Sequence, residues 1–444
     1  MKSKIFSLYF KAPYIIQYFL INLYGAFISF NRFGYPYKKY YEYYSLNNPL
    51  KIDEKQMRRF IISANKTPFW KKKFKKYKIN IESNNLEKEI LKLPILTKKE
   101  VKINLNSIIN KSIKSRVSYV ATSGTTGSSL VFPQTREMEQ KQWAIWYRYR
   151  SWHNIKLNDW CGWFGGRVIM SQNRDKPPYW YMNYFTRQIM FSCHHLSQNT
   201  IHHFFKKLIK SKLKWLHGYP SQITELARLL DKNGLVDFPN VKIISLGAEN
   251  LLEYQKNIIK KVFIKANIIE HYGLAEGVSN ISLTADKKLI ADQDFAITNF
   301  LEINKNRYRI IGTNYNNLAF PLIRYDTGDI ANGRFEDKNS FKILSLDGRK
   351  EDSILLDNGI KLGRLDHIFK DLKDIDKAQI IQKKGIINFL IIKGKDFNAK
   401  KTEEKLIFEI HNYMGMNQKF NIKYVDSFEK KSSGKHRFVI SDIK

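Results

Sequence analysis

The sequence predicts an α/β protein in two parts: a large domain built on a parallel sheet, followed by a small α+β lid. Three observations carry that reading. Strand-like and helix-like patterns alternate from about residue 117 to 272, as expected of a sheet covered by helices. After Arg324 the segments become shorter and richer in turns, with an Asp347-Gly348 turn expected before Arg349. At 444 residues, with 43% hydrophobic and 14% aromatic content, the chain can bury two or three cores and is not largely disordered.

The first element is an apolar, aromatic segment from Tyr14 to Phe30, preceded by Lys2, Lys4 and Lys11 and interrupted by Gln17, Asn22 and Gly25. A spanning helix needs about 20 mostly apolar residues, and no small-residue cleavage site follows, so neither a membrane span nor an export signal is expected. Two readings stand side by side: an amphipathic helix packed on its own domain, or a helix at 5–30 in peripheral contact with a membrane, its lysines toward lipid phosphates. Residues 50–115 read as helices joined by charged loops, with Met57, Phe60, Ile61 and Ala64 on a half-buried face. Residues 1–115 thus form a helical lead-in packed on the large domain.

The core of the large domain is expected at 116–347. Its strands are 117–120, 130–132, 213–216, 241–245 and 268–272, and its helices run from Thr135 onward, 220–230 and 251–262. Residues 348–444 form the lid, with strands at 380–381, 386–392 and 420–425 and a helix at 400–413.

Composition narrows the function classes. Seventy-six basic against 41 acidic residues give a net charge of +35, which draws anionic partners such as nucleotides, coenzyme A or an anionic membrane surface. A basic nucleic-acid binder is the outlying alternative, but the lysines are scattered and no nucleic-acid-binding motif accompanies them, so no specific nucleic acid is expected. The two cysteines, Cys161 and Cys193, are too few for a disulfide framework and suit a reducing cytoplasm, including the inner face of the membrane. Cys193-His194-His195 with His202 and His203 lacks the paired spacing of a structural zinc site and reads as a satisfied polar cluster. Trp160, Trp163, Phe164, Trp180 and Trp215 could line an aromatic pocket, although filling a core is the simpler use of them.

The chemistry lies in an ordered series of short motifs. Ser123, Gly124, Thr125, Thr126, Gly127, Ser128 and Ser129 combine a permissive backbone with hydroxyl donors, a phosphate grip without the lysine of a P-loop. His217-Gly-Tyr-Pro-Ser221 and Gly247-Ala248-Glu249 follow strands, where sheets build ligand crevices. Tyr272-Gly273-Leu-Ala-Glu276 supplies an aromatic face and a hard carboxylate, and Arg324-Tyr-Asp-Thr-Gly-Asp329 ends on a carboxylate that can accept from two hydroxyls. Arg349 offers a fork of donors to oxygen pairs, and Ser433-Gly-Lys435 places a late lysine on a loop.

In this order the motifs resemble the adenylate-forming superfamily, specifically the branch of phenylacetate-coenzyme A ligases and CapK capsular polysaccharide proteins. The resemblance covers nearly the whole chain, beginning at Asp53–Phe60, Thr67-Pro-Phe-Trp70 and Leu93-Pro-Ile-Leu-Thr-Lys98. It implies a large adenylation domain with a mobile lid, and ATP-dependent activation of a carboxylic acid with release of pyrophosphate. It further implies magnesium on Glu276, adenine against Tyr272 and the Gly247–Glu249 segment, and ribose on Asp329. Arg349 falls on ribose or phosphate, Glu351 at the hinge, and Lys435 on the reacting carboxylate and α-phosphate. Coenzyme A is the implied acyl acceptor, with an amino sugar or carrier protein as alternatives. Ala275 departs from the Ser or Thr common there. That departure, with the apolar N-terminus, motivates the alternative of a catalytically silent, membrane-associated scaffold. The oligomeric state stays open, a homodimer being the candidate.

Overall fold

The computed structural model describes residues 8–121, 130–165, 169–171, 174–249, 251–337, 340–349, 354–357, 361–362, 365–369, 372, 374–383, 385–394, 397–414, 418–428 and 438–443. The lead-in is helical throughout: α1 (Tyr14–Phe33), α2 (Tyr35–Leu46), α3 (Glu54–Asn65), α4 (Pro68–Lys76) and the short α5 (Leu86–Leu91), α6 (Lys98–Ile103) and α7 (Leu105–Ile108). Asp53, Thr67, Asn85 and Thr97 start four of these helices, each side chain accepting from a backbone N–H three residues on. The expected apolar face of α3 is buried: Met57, Phe60, Ile61 and Ala64 join Trp70, Phe132, Phe320 and Tyr325 in one core. The lead-in is therefore part of the large domain's core.

A ribbon of β1 (Val117–Ala121) and β2 (Val131–Thr135) pairs Ala121 with Val131, and α8 (Arg136–Trp152) follows at once. The main sheet then forms from β3 (Cys161–Phe164), β4 (Trp180–Asn183), β5 (Gln188–Phe191), β6 (Trp215–Gly218), β7 (Ile243–Leu246) and β8 (Asn267–Gly273). Helices α9 (Ile201–Ser211), α10 (Pro220–Lys232) and α11 (Glu253–Val262) alternate with these strands. The run β5-β3-β6-β7-β8 is parallel, with β4 antiparallel at its edge. Leu216, Ile244, Ile223, Leu226, Ile259 and Val262 pack sheet against helices in one core.

Beyond β8 the sheet turns antiparallel through β9 (Asn280–Leu283), β10 (Leu289–Ala291), β11 (Ile297–Asn304), β12 (Arg307–Thr313), β13 (Tyr325–Phe335) and β14 (Phe341–Arg349). The strand order is β11-β12-β13-β14-β10-β9-β8-β7-β6-β3-β5-β4. Asp347 and Gly348, expected in a turn, lie within β14, Asp347 facing Ile330. The turn residues were misleading there because the strand partner, not local propensity, decides the conformation.

The C-terminal part has its own core, from Ile354 to Val439. A four-stranded sheet, β19-β18-β17-β20, contains β17 (Ile375–Lys383), β18 (Ile386–Lys393), β19 (Phe420–Tyr424) and β20 (Val439–Ser441), in numbering that leaves β15 and β16 for the two-stranded ribbon at Ile354–Leu355 and Lys361–Leu362. Helix α12 (Ala399–Met414) contributes Leu406 and Ile410 to this core. Lys377 on β17 forms an ion pair with Glu225 on α10 at 2.5 Å, joining the two parts. No helix among the described residues is long and apolar enough to cross a membrane.

Candidate active site

The end of β8 is where the parallel and antiparallel halves of the sheet meet, since β8 pairs in parallel with β7 and antiparallel with β9. Tyr272 sits there. Asp329 lies on β13, separated from β8 in the strand order by β9, β10 and β14. The sheet nevertheless curls enough for the Tyr272 hydroxyl to donate to Asp329 Oδ2 at 2.7 Å. Burial, reinforced by the Asp329 carboxylate, holds the Tyr272 phenol protonated well above its ordinary range. Asp329 is buried, and its backbone N–H donates to Thr327 Oγ1 at 3.1 Å. Gly328 just before it has φ +76°, a conformation that glycine adopts without cost. Arg349 is the register partner of Asp329 across β13 and β14, which sets their Cα atoms about 5 Å apart.

Glu276, four residues beyond Tyr272, is buried, and the Tyr325 hydroxyl donates to its Oε1 at 3.5 Å. Asn314, fully buried, donates from Nδ2 to the Glu276 carbonyl at 3.0 Å and so fixes the loop. Tyr325 is itself held by the lead-in: Leu96 N–H donates to Arg324 O and Asp326 N–H donates to Leu96 O, both at 2.9 Å. Arg324 completes the strap, its guanidinium donating to the carbonyls of Leu91 and Leu93. The Leu93–Thr97 motif thus positions the Arg324–Asp329 motif, and through Tyr325 reaches Glu276. Sequence reasoning named both motifs without this link, and it missed Asn314.

Gly247, Ala248 and Glu249 follow β7, with Ala248 in the left-handed region at φ +67°. Glu249 Oε2 accepts from the Ser221 N–H at 3.1 Å, in the first turn of α10, where a carboxylate meets the positive end of the helix. Below this turn lies a polar-aromatic wall. His217 on β6 pairs in register with Ser245 on β7, their Nδ1 and Oγ 3.3 Å apart. His271 on β8 lies between the rings of Trp146 and Tyr149 from α8, at 5.4 and 5.7 Å. Trp146 Nε1 donates to Asn280 Oδ1 at 3.1 Å. A Cβ on Gly273 would sit 3.1 Å from Asn280 Oδ1 and 3.2 Å from His271 Nε2, so a larger residue would crowd both side chains.

Burial, then the Arg150 cation, pushes both His217 and His271 down to about 3. Both rings are neutral at neutral pH. His271 Nε2 is buried without a hydrogen-bond partner among the described residues. Of this wall only His217, at the head of the His217–Ser221 motif, was named from sequence; the other members lie on four further elements and stand in no motif that the sequence shows.

Ser123, Gly124, Thr125, Thr126, Gly127, Ser128, Glu351 and Lys435 lie outside the described residues, and of Arg349 only the backbone is described. Of the aromatic residues that could line a pocket or fill a core, Phe164 and Trp215 are buried in cores, and Trp160, Trp163 and Trp180 are partly buried against those cores. His195 is part of an aromatic stack on Tyr179, with Nδ1 2.7 Å from Ser192 Oγ.

The chain is 26% identical to Protein CapK of Staphylococcus aureus over 98% of its own length and 99% of that protein. Residues 357–442 match the family described as the CapK C-terminal domain. The chain is a CapK homologue. Its fold is that of adenylate-forming acyl-CoA ligases. It superposes on 2-hydroxyisobutyryl-CoA ligase in the postadenylation state in complex with 2-HIB-AMP with a TM-score of 0.64 at 15% identity, covering 87% of this chain and 88% of that one. The anthranilate CoA ligase AuaEII in complex with anthranoyl-AMP gives a TM-score of 0.51 at 11% identity, covering 74% and 67%. In this homologue of CapK, the large α/β domain and the smaller C-terminal domain are those of the ligase fold.

Proposed function

We propose that the chain activates a carboxylic acid with ATP as an acyl-adenylate and then passes the acyl group to a thiol, coenzyme A first among the acceptors. In the first half-reaction a carboxylate oxygen attacks the α-phosphorus, the bond from that phosphorus to the bridging oxygen breaks, and pyrophosphate leaves with the electron pair. In the second, a thiolate attacks the acyl carbon and AMP leaves. The observation that carries this reading is the juxtaposition of the Tyr272 ring with the buried Asp329 carboxylate, 2.7 Å from hydroxyl to oxygen, in a fold shared with ligases solved in complex with acyl-AMP. One nucleoside can lay its base on the ring and its ribose on the carboxylate.

Other roles follow from the resemblance and fit what surrounds this pair. Arg349, beside Asp329 in the strand register, suits ribose or phosphate. The hydroxyls of Ser123–Ser128 and the ammonium of Lys435 would offset charge when two anions join. Rotation of the small domain about Glu351 would then withdraw Lys435 and admit the acceptor. Glu276 is a single buried carboxylate next to the nucleotide position, which fits magnesium, an ion held by one or two carboxylates and otherwise by phosphate and water. Bound there, the ion would stabilise negative charge on the phosphates. The acid would meet the wall of Trp146, His217, His271 and Asn280, and the open Nε2 of a neutral His271 favours an acid bearing a hydrogen-bonding group. The resemblance to the CapK capsular polysaccharide branch suggests a place in surface-polysaccharide synthesis, with an amino sugar or carrier protein as alternative acceptors.

A second reading, a silent scaffold, is favoured by Ala275, which supplies no hydroxyl toward the α-phosphate. AMP formation from ATP, measured over aryl, amino and hydroxy acids with and without coenzyme A, separates the two. Acid-dependent AMP that requires coenzyme A and vanishes in Lys435→Ala supports the ligase. Confirmed ATP binding without turnover for any acid or acceptor supports the scaffold.

A further inference from the structure

We propose that α1 is a monotopic anchor that lies flat on an anionic lipid bilayer, a role independent of the adenylation reading. The helix is mounted inside out. Its polar positions face the protein: Gln17 Nε2 donates to Ala12 O at 2.8 Å, and its Oε1 accepts from the Tyr181 hydroxyl. Asn22 Nδ2 donates to Met182 O at 2.9 Å, and Asn22 Oδ1 accepts from the Tyr184 N–H at 3.0 Å. Gly25 lies so close to Asn183 that a Cβ would collide with that side chain. The opposite face, spaced at one helical turn, carries Ile15, Phe19, Leu23, Phe27 and Phe30, each between 51% and 80% exposed. Five large apolar side chains in a row on a 20-residue helix make a contiguous patch of the kind that marks an interaction surface.

The rim identifies the partner. Arg174 lies over Tyr14 at 4.6 Å, Arg116 over Phe27 at 5.8 Å and Arg136 over Phe30 at 5.0 Å, so guanidinium groups from three other segments flank the helix along its length. No acidic residue precedes Glu42 in the chain. An apolar stripe at acyl-chain depth with cations at headgroup level is the arrangement by which interfacial helices hold anionic membranes. A second copy of the chain fits less well, because pairing these faces would bring two cationic rims together in a protein of net charge +35. The helix lies along the surface, consistent with its being too weakly apolar to cross.

The test is co-sedimentation of the full-length protein with vesicles of phosphatidylcholine containing about one third phosphatidylglycerol, compared with phosphatidylcholine alone, for wild type and the double variant Phe19→Glu, Leu23→Glu. Both positions are exposed, so the variant should keep its thermal midpoint. The proposal predicts that wild type pellets with anionic vesicles, less so at high salt, and that the variant partitions about tenfold more weakly. Failure of wild type to pellet, equal pelleting by the variant, or a wild-type dimer that the variant converts to monomer without any lipid binding would each overturn it.

Discussion

Asp329 has the shortest chain of reasoning from geometry to function. Its carboxylate is buried, its backbone is set by Thr327 and Gly328, and it accepts from the Tyr272 hydroxyl at 2.7 Å. A ribose arriving there would add hydroxyl donors to a charged acceptor, each worth about 1.5–3 kcal/mol. Asp329→Ala is therefore expected to weaken ATP binding about 10- to 100-fold by titration calorimetry. His217 and His271 make a different prediction. Their pKa values near 3 lie below those of an unfolded chain, so between about pH 6.5 and 3 the unfolded state binds protons that the native state refuses. Their contribution is to lower stability as the pH falls through that window. Asp294, whose carboxyl burial pushes up to about 7, acts in the opposite direction over part of it. The comparison must therefore be with His271→Gln: on acidification from pH 6.5 to pH 4, the thermal midpoint of wild type should fall more steeply than that of the variant.

At the scale of elements, α8 is the brace of the site. It carries Trp146 and Tyr149 to His271, and buries Arg148 between Asp292 and Asp294 at 2.6 and 2.5 Å. Thr135 begins it, accepting from Met138 N–H at 3.1 Å while itself buried. Thr135→Ala should cost about 1 kcal/mol, read as a lower urea midpoint at unchanged slope. Elements whose apolar pattern and burial agree were legible in the sequence: α3, α10, β8, β18 and α12 lie where periodicity places them. The antiparallel strands β11 and β12 were not named from sequence: the polar, charged run Glu302–Arg307 where they meet interrupts the apolar pattern of the residues on either side. In the candidate site, Tyr272, Glu276 and Asp329 were legible because each begins or ends a contiguous motif. Asn314, Tyr325 and His271 owe their importance to contacts with residues 38 to 125 positions away, and linear spacing carries no trace of those. The N-terminal helix shows the same limit: its hydropathy was plain, but which face meets the protein depends on Tyr181, Met182 and Asn183.

The whole molecule is a large curled sheet with a separately cored small domain, touching through Lys377 and Glu225. That division suits a reaction in which one site must serve two half-reactions, because a domain with its own core can move without unfolding. The charge of +35 and the inside-out α1 suit a chain that meets anions both as substrates and as a surface. Formation of an acyl-adenylate is the claim on which the functional account depends. ATP–pyrophosphate exchange across a panel of aryl, amino and hydroxy acids, without any acceptor present, tests it most directly. Acid-dependent exchange in wild type that is lost in Lys435→Ala is the predicted result; exchange absent for every acid in a protein that binds ATP, or undiminished in the variant, would contradict it.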